Sequence, residues 1–133
     1  MAKVDNWDIY PNFTKQEFDC KHTGRNRMDA DFMDLLQKIR NEYGLPMHIT
    51  SGFRDSTHPV EERKTNPGEH SYGLACDVAV YGENAVKLLR AALRLGMPRI
   101  GVKQNGPVSG RFIHLGYATK SQGFNSPWIW SYS

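Results

Sequence analysis

Two histidines and one aspartate stand where a divalent metal would find suitable donors. His70 ends a polar stretch, Asp77 interrupts an apolar run, and His114 closes Arg111-Phe112-Ile113-His114. Two imidazoles and a carboxylate suit zinc, and three protein ligands leave a fourth tetrahedral position for water, as in catalytic rather than Cys-closed structural sites. An ion there would lower the pKa of that water from about 15.7 to about 7 and polarise a scissile carbonyl. Spacing alone does not decide the matter, because a chain with 5 histidines can keep two as hydrogen-bonded core side chains. Asp77 adds weight: a lone carboxylate on a buried strand is costly. A cation is one remedy and a salt bridge from Arg54 is the other. A metal-free reading, with both histidines in the core and Asp77 salt-bridged, follows from the second.

These residues need elements to position them. Leu74 to Val80 alternates, with Leu74, Cys76, Val78 and Val80 on one face and Ala75, Asp77 and Ala79 on the other, which predicts a buried strand. Met47 to Ser51 reads as a strand running into Gly52. Arg99 to Val102 and Arg111 to Leu115 read as short strands around the turn signal Gln104-Asn105-Gly106-Pro107. A helix is predicted from Asp29 to Tyr43, where Phe32, Leu35, Leu36, Ile39 and Tyr43 share a face and Gly44 with Pro46 ends it. A second runs from Glu83 to Leu95, with Ala85, Leu88, Leu89, Ala92 and Leu95 inward. Thr14-Lys15-Gln16-Glu17 reads as a capping box opening a short helix that carries Phe18. Asp55 to Glu69 has no period and is expected as a long loop. The tail from Tyr117 has none either, and Trp128, Ile129 and Trp130 are expected to pin it against the body. Strands close in sequence with hairpin-like connections favour an α+β fold with a small antiparallel sheet flanked by helices, as one domain over residues 1–133.

Composition narrows the function classes. The formal charge of +3 comes from 17 Lys and Arg against 14 Asp and Glu, scattered rather than striped, so no nucleic-acid footprint is visible. A mild positive balance favours approach to an anionic surface such as a cell wall. The 2 cysteines, Cys20 and Cys76, are too few for a disulfide framework, and a reducing compartment fits. The opening MAKVDNWDIYPNF has no apolar signal region and no segment is long enough to span a membrane, so neither export by the usual signal nor membrane insertion is expected.

Several runs, in order, resemble the zinc peptidases of the D-Ala-D-Ala carboxypeptidase family, peptidase family M15, in its phage-lysin-like subfamily A. They are Glu-Phe near the N-terminus, Ser51-Gly52-Phe53-Arg54, His70-Ser71-Tyr72-Gly73-Leu74-Ala75-Cys76-Asp77 and Phe112-Ile113-His114. The most specific part is His-x-x-Gly-x-Ala-x-Asp. The resemblance implies a hedgehog/D,D-peptidase-like fold, with His70, Asp77 and His114 as zinc ligands. It also implies that Arg54 steadies a substrate carboxylate or a developing oxyanion, through a fork that pairs bidentately with carboxylates. Ser51 and Tyr72, inside the matching runs, are expected beside Arg54 on the substrate. Gly73 and Ala75 would be small because backbone and substrate crowd the metal, or because the strand bends and packs tightly.

Two positions depart from the family pattern. Gly68 stands where a serine is frequent, and Arg111 and Gly116 stand where relatives carry a carboxylate or another acid-base group, three residues before or two after the final histidine. The general base is therefore unassigned among Glu69, Glu61, Glu62, Asp55 and His58; Glu69, next to a ligand, is the catalytic candidate alongside Arg54. The function implied is zinc-dependent hydrolysis of a peptide bond in peptidoglycan stem peptides, of the D-Ala-D-Ala carboxypeptidase or L-Ala-D-Glu endopeptidase type. The expected setting is a monomeric phage lysin, held in the cytoplasm of the infected host before release to the cell wall. The alternative is a catalytically idle zinc domain that binds cell wall or serves as a virion component.

Overall fold

The computed structural model describes residues 2–64 and 66–133; residue 1 of the N-terminal stretch and residue 65 of the expected long loop lie outside them. Thr14 caps a short helix α1 (Lys15–Phe18) with the reciprocal bonds of a capping box, the Thr14 amide donating to Glu17 Oε1 at 2.7 Å. Asp29 accepts from the Phe32 amide at 2.9 Å to start α2 (Ala30–Tyr43), and Gly44 ends it in the left-handed conformation. Strand β1 (His48–Ser51) follows. Inside the stretch expected to be a loop lies a four-residue helix, α3 (Pro59–Glu62), capped by His58 Nδ1, which accepts from the Val60 amide at 3.1 Å. A 3₁₀ turn (Glu69–Tyr72) leads into β2 (Ala75–Ala79), and α4 (Gly82–Arg94), β3 (Arg99–Lys103), β4 (Phe112–Gly116) and β5 (Trp128–Ser131) complete the chain.

The five strands form one sheet in the order β1-β2-β4-β3-β5. The antiparallel expectation holds for β1 with β2, β2 with β4 and β3 with β4, but β5 joins β3 in parallel, so the sheet is mixed within an α+β fold. The tail is thus a strand rather than an irregular arm. Its pinning differs from expectation as well: Trp128 and Ile129 are exposed, and Trp130 is the residue that turns onto the sheet. An edge strand with one partner has no face sealed on both sides, so its sequence carries no strict alternation.

Register sorts the side chains into two faces. Cys76, Leu115 and Ile100 form one cross-strand row and Val78, Ile113 and Val102 the next; these residues, with Phe32, Leu36 and Ile39 of α2 and Leu88 and Ala92 of α4, make the core. The opposite face carries the row Ser51, Asp77, His114, Gly101, Trp130. A register shift between Ile49 and Ser51 sets Ser51, rather than its neighbour, beside Asp77. On that face Gly101 leaves room for the Trp130 ring, since a Cβ there would lie 2.6 Å from the indole.

Gly73 turns the chain from the 3₁₀ turn into β2 at φ +69°, and a Cβ on it would fall 2.0 Å from the Arg27 carbonyl oxygen. Its smallness therefore serves a backbone crossing. Gly73→Ala should destabilise the protein by about 1–3 kcal/mol, read as a lower urea midpoint with an unchanged slope; a midpoint within error of the parent would contradict this account.

Candidate metal centre

His114 and Asp77 are direct cross-strand partners at the centre of the sheet, so β-pairing alone puts their side chains together. His70 arrives from outside the sheet and is tied to the end of β1 by two bonds: its Nδ1–H donates to the Gly52 carbonyl at 2.8 Å, and its own carbonyl accepts from the Arg54 amide at 3.2 Å. That fixes the tautomer and turns His70 Nε2 toward Asp77. Asp77 Oδ1 then lies 3.4 Å from His70 Nε2 and 3.0 Å from His114 Nδ1, and the two rings stand 4.9 Å apart between centroids.

One donor atom from each of the three lies within 4.8 Å of the others, and all three residues are buried. Donors on a tetrahedral zinc, with bonds of about 2.0–2.1 Å, sit about 3.3 Å from one another. The two distances to Asp77 Oδ1 bracket that value, so the donor set fits a zinc-sized cation.

A family model described as Peptidase M15 matches residues 11–116, a span that includes all three side chains. The chain belongs to the M15 peptidase family. No curated protein matches it. M15 peptidases are metallopeptidases that depend on a metal, and the His70, Asp77 and His114 cluster is compatible with that dependence.

In this M15 domain the remaining sequence candidates fall into distinct places. Arg54 lines the cavity over the cluster and is held three ways: Nε donates to Ser51 Oγ at 3.0 Å, Nη1 to Glu61 Oε2 at 3.3 Å and Nη2 to Asp77 Oδ2 at 3.4 Å. Asp77 thus divides its oxygens, Oδ1 to the imidazoles and Oδ2 to the guanidinium. Ser51 serves as the rest for Arg54. Tyr72 stands one ring back, edge-on to Phe124, which lines the cavity. Of the five acid-base candidates, Glu69 lines the cavity. Glu61 is buried beneath it, taken up by Arg54, Lys64 and the Gly68 amide at 2.7 Å. Asp55 binds Arg25 and Thr57, His58 caps α3, and Glu62 is exposed on α3.

The cavity, about 370 Å³, has walls that sequence reasoning did not assign: Arg99, Phe112, Phe124, Trp130 and Tyr132, with Lys64 at its side. Trp130 packs on His114 at 5.1 Å, the Phe112 and Tyr132 rings meet at 5.0 Å, and the Arg99 guanidinium lies over Trp130 and Phe124 at 4.8 and 5.1 Å. Arg99 shares its face of β3 with Gly101, an alternation the sequence did carry.

Burial alone would raise the carboxyl of Asp77, but His70 and His114 outweigh it and hold it well below the ordinary carboxylate range. Glu69 is likewise lowered, burial being overcome by His114 and Arg99, and Glu61 is lowered by the Gly68 amide, Lys64 and Arg54 against its own burial. His114 goes the other way: burial lowers its pKa, but Asp77 and Glu69 raise it above the usual histidine value. The signs give a pH profile for the metal-free protein. Depressed carboxylates contribute stability above their unfolded values of about 4, lost as pH falls below that. The raised His114 contributes below about 6.5, a contribution lost as pH rises through its folded pKa. Chelated protein should therefore melt highest between about pH 5 and 6.5. Zinc-loaded protein should lose the alkaline decline, because a ligating imidazole nitrogen is already unprotonated. Melting temperatures against pH, with chelator and with zinc, check both limbs.

Proposed function

We propose that the chain is a zinc-dependent peptidase that hydrolyses a peptide bond in peptidoglycan stem peptides, either as a D-Ala-D-Ala carboxypeptidase or as an L-Ala-D-Glu endopeptidase, and that it works as a phage lysin. The observation that carries the reading is the convergence of His70, Asp77 and His114 at the floor of a cavity walled by Arg54 and aromatic rings. Those three residues would hold the ion, and when bound it would supply a Lewis acid for the scissile carbonyl and a more acidic water. Membership in a metallopeptidase family supports the metal chemistry, and the family's association with cell-wall peptides supports the substrate class.

The chain's own groups have separable tasks in this reading. Arg54, anchored on Ser51 and Glu61, presents a fixed guanidinium beside the cluster, suited to a substrate carboxylate or to negative charge developing on the carbonyl oxygen. The rings of Phe112, Phe124, Trp130 and Tyr132 exclude water and offer flat apolar contact to a peptide backbone. A volume of about 370 Å³ admits a few residues of a stem, near the small end of ligand pockets.

A second reading has a specific observation behind it. The two carboxylates lining the cavity are both occupied, Asp77 by two imidazoles and Arg54, Glu69 by His114, Arg99 and a backbone amide. A zinc-bearing domain that binds cell wall without cutting it would look the same.

Incubating purified protein with isolated cell walls separates the two. The peptidase reading expects stem-peptide products that disappear with chelator and return with zinc. Free D-Ala would mark the carboxypeptidase type, and new L-Ala carboxyl ends the endopeptidase type. Arg54→Ala should lower kcat by about 10²–10³ if the guanidinium meets the developing oxyanion. Retention on walls with one equivalent of zinc and no product at any metal level would favour the idle domain.

A further inference from the structure

The Glu69 side chain reaches back over β4 into the space above Gly116, where a Cβ would lie 2.1 Å from its Oε1. It is buried, at 3% exposure, and each contact points one way. Glu69 Oε1 accepts from His114 Nε2, and Glu69 Oε2 accepts from the Ala118 amide at 3.2 Å. Arg99 Nε faces Oε1 at 3.1 Å, off the N–H axis, so that contact is Coulombic rather than a directed bond. His114 is thereby gripped at both nitrogens, Nε2 by Glu69 and Nδ1 turned to Asp77 Oδ1 at 3.0 Å.

We infer that Glu69 is the positioning residue of the metal centre. It holds the proton of His114 on Nε2, which fixes the ring and leaves the Nδ1 lone pair for the cation, while Arg99 and Ala118 hold Glu69. The inference rests on the reading of His70, Asp77 and His114 as ligands, and it gives Glu69 a role distinct from that of a base acting on water. A carboxylate behind a ligating imidazole raises its basicity and sets its tautomer. Gly116 belongs to the same device: the strand carries no side chain there, and the carboxylate is supplied from the residue before the first histidine.

Zinc affinity, measured by competition with a chromophoric chelator, tests this without reference to activity. Wild-type protein should take up one equivalent. Glu69→Ala should weaken binding by about 10- to 100-fold, the range for loss of such a partner. Glu69→Gln, which keeps the volume but sets an amide N–H against either the Ala118 or the His114 donor, should also weaken it, by about tenfold. Gly116→Ala displaces the carboxylate without altering Glu69 and should match Glu69→Ala, while Glu62→Gln on the exposed side of α3 should leave affinity unchanged. Histidine ¹⁵N spectra of the zinc-loaded protein should show one imidazole metallated at Nδ1 and protonated at Nε2, with that signature broadened or lost in Glu69→Gln. Should Glu69→Ala not fold, Glu69→Gln carries the test. Affinities of Glu69→Gln and Gly116→Ala within twofold of wild type would overturn the inference while leaving the metal site standing; absence of zinc uptake by the wild type would bring down both.

Discussion

A carboxylate in the middle of a sheet face, nearly sealed from water, sets the terms for this fold. Asp77 is 7% exposed, on a strand whose other face is the hydrophobic core. Leaving it ionised there requires compensation of the same order as its lost hydration. The protein surrounds it with His70, His114 and Arg54, and each of these is itself braced: His70 by the Gly52 carbonyl, His114 by Glu69, Arg54 by Ser51 and Glu61. Glu61 in turn draws in Lys64. Cationic side chains, imidazoles and buried carboxylates thus form one charge network, in which Asp77 and Glu69 would supply negative charge to match a divalent ion among the imidazoles.

The sheet makes room for that network through absences. Gly101 and Gly116 flank His114 on the metal face, one covered by an indole and the other by a carboxylate. Ala75 and Ala79 play the same part on either side of Asp77. A side chain at Gly101 or Gly116 would collide with the indole or the carboxylate that now covers it. The opposite face, with Leu115, Ile113, Ile100 and Val78, carries the packing that makes the platform stiff.

How much of this the sequence revealed depended on the range of the interactions. Helices α2 and α4 and the capping box at Thr14 were legible because their signals repeat within a few residues. The alternation of β2 placed Asp77 opposite the core side chains, and the three metal-site candidates named from sequence do lie together. Strand β5 was not legible, because its pairing with β3 is parallel and reaches back across β4 and its connections, and Trp128-Ile129-Trp130 shows no polar alternation. The buried state of Glu61 was hidden for a similar reason: four residues of α3 inside a polar stretch give no period, and its partners Arg54 and Gly68 lie on other segments. Gly116 read as a missing acid, since sequence shows what a position lacks but not which neighbour occupies its space.

The parallel docking of β5 divides the centre into two parts with different dependences. The side chains that would grip the ion come from residues 70–114, inside the span that matches the family, whereas Phe124, Trp130 and Tyr132 belong to the closing segment beyond it. A short edge pairing, the indole laid over Gly101, and the contacts of Phe124, Trp130 and Tyr132 with Tyr72, Arg99, His114 and Phe112 join the second part to the first. Because Asp77 and His114 are placed by the pairing of β2 with β4 and His70 by the turn before β2, changes at Phe124 or Tyr132 would reshape what the cavity admits while the three donors keep the spacing that pairing sets.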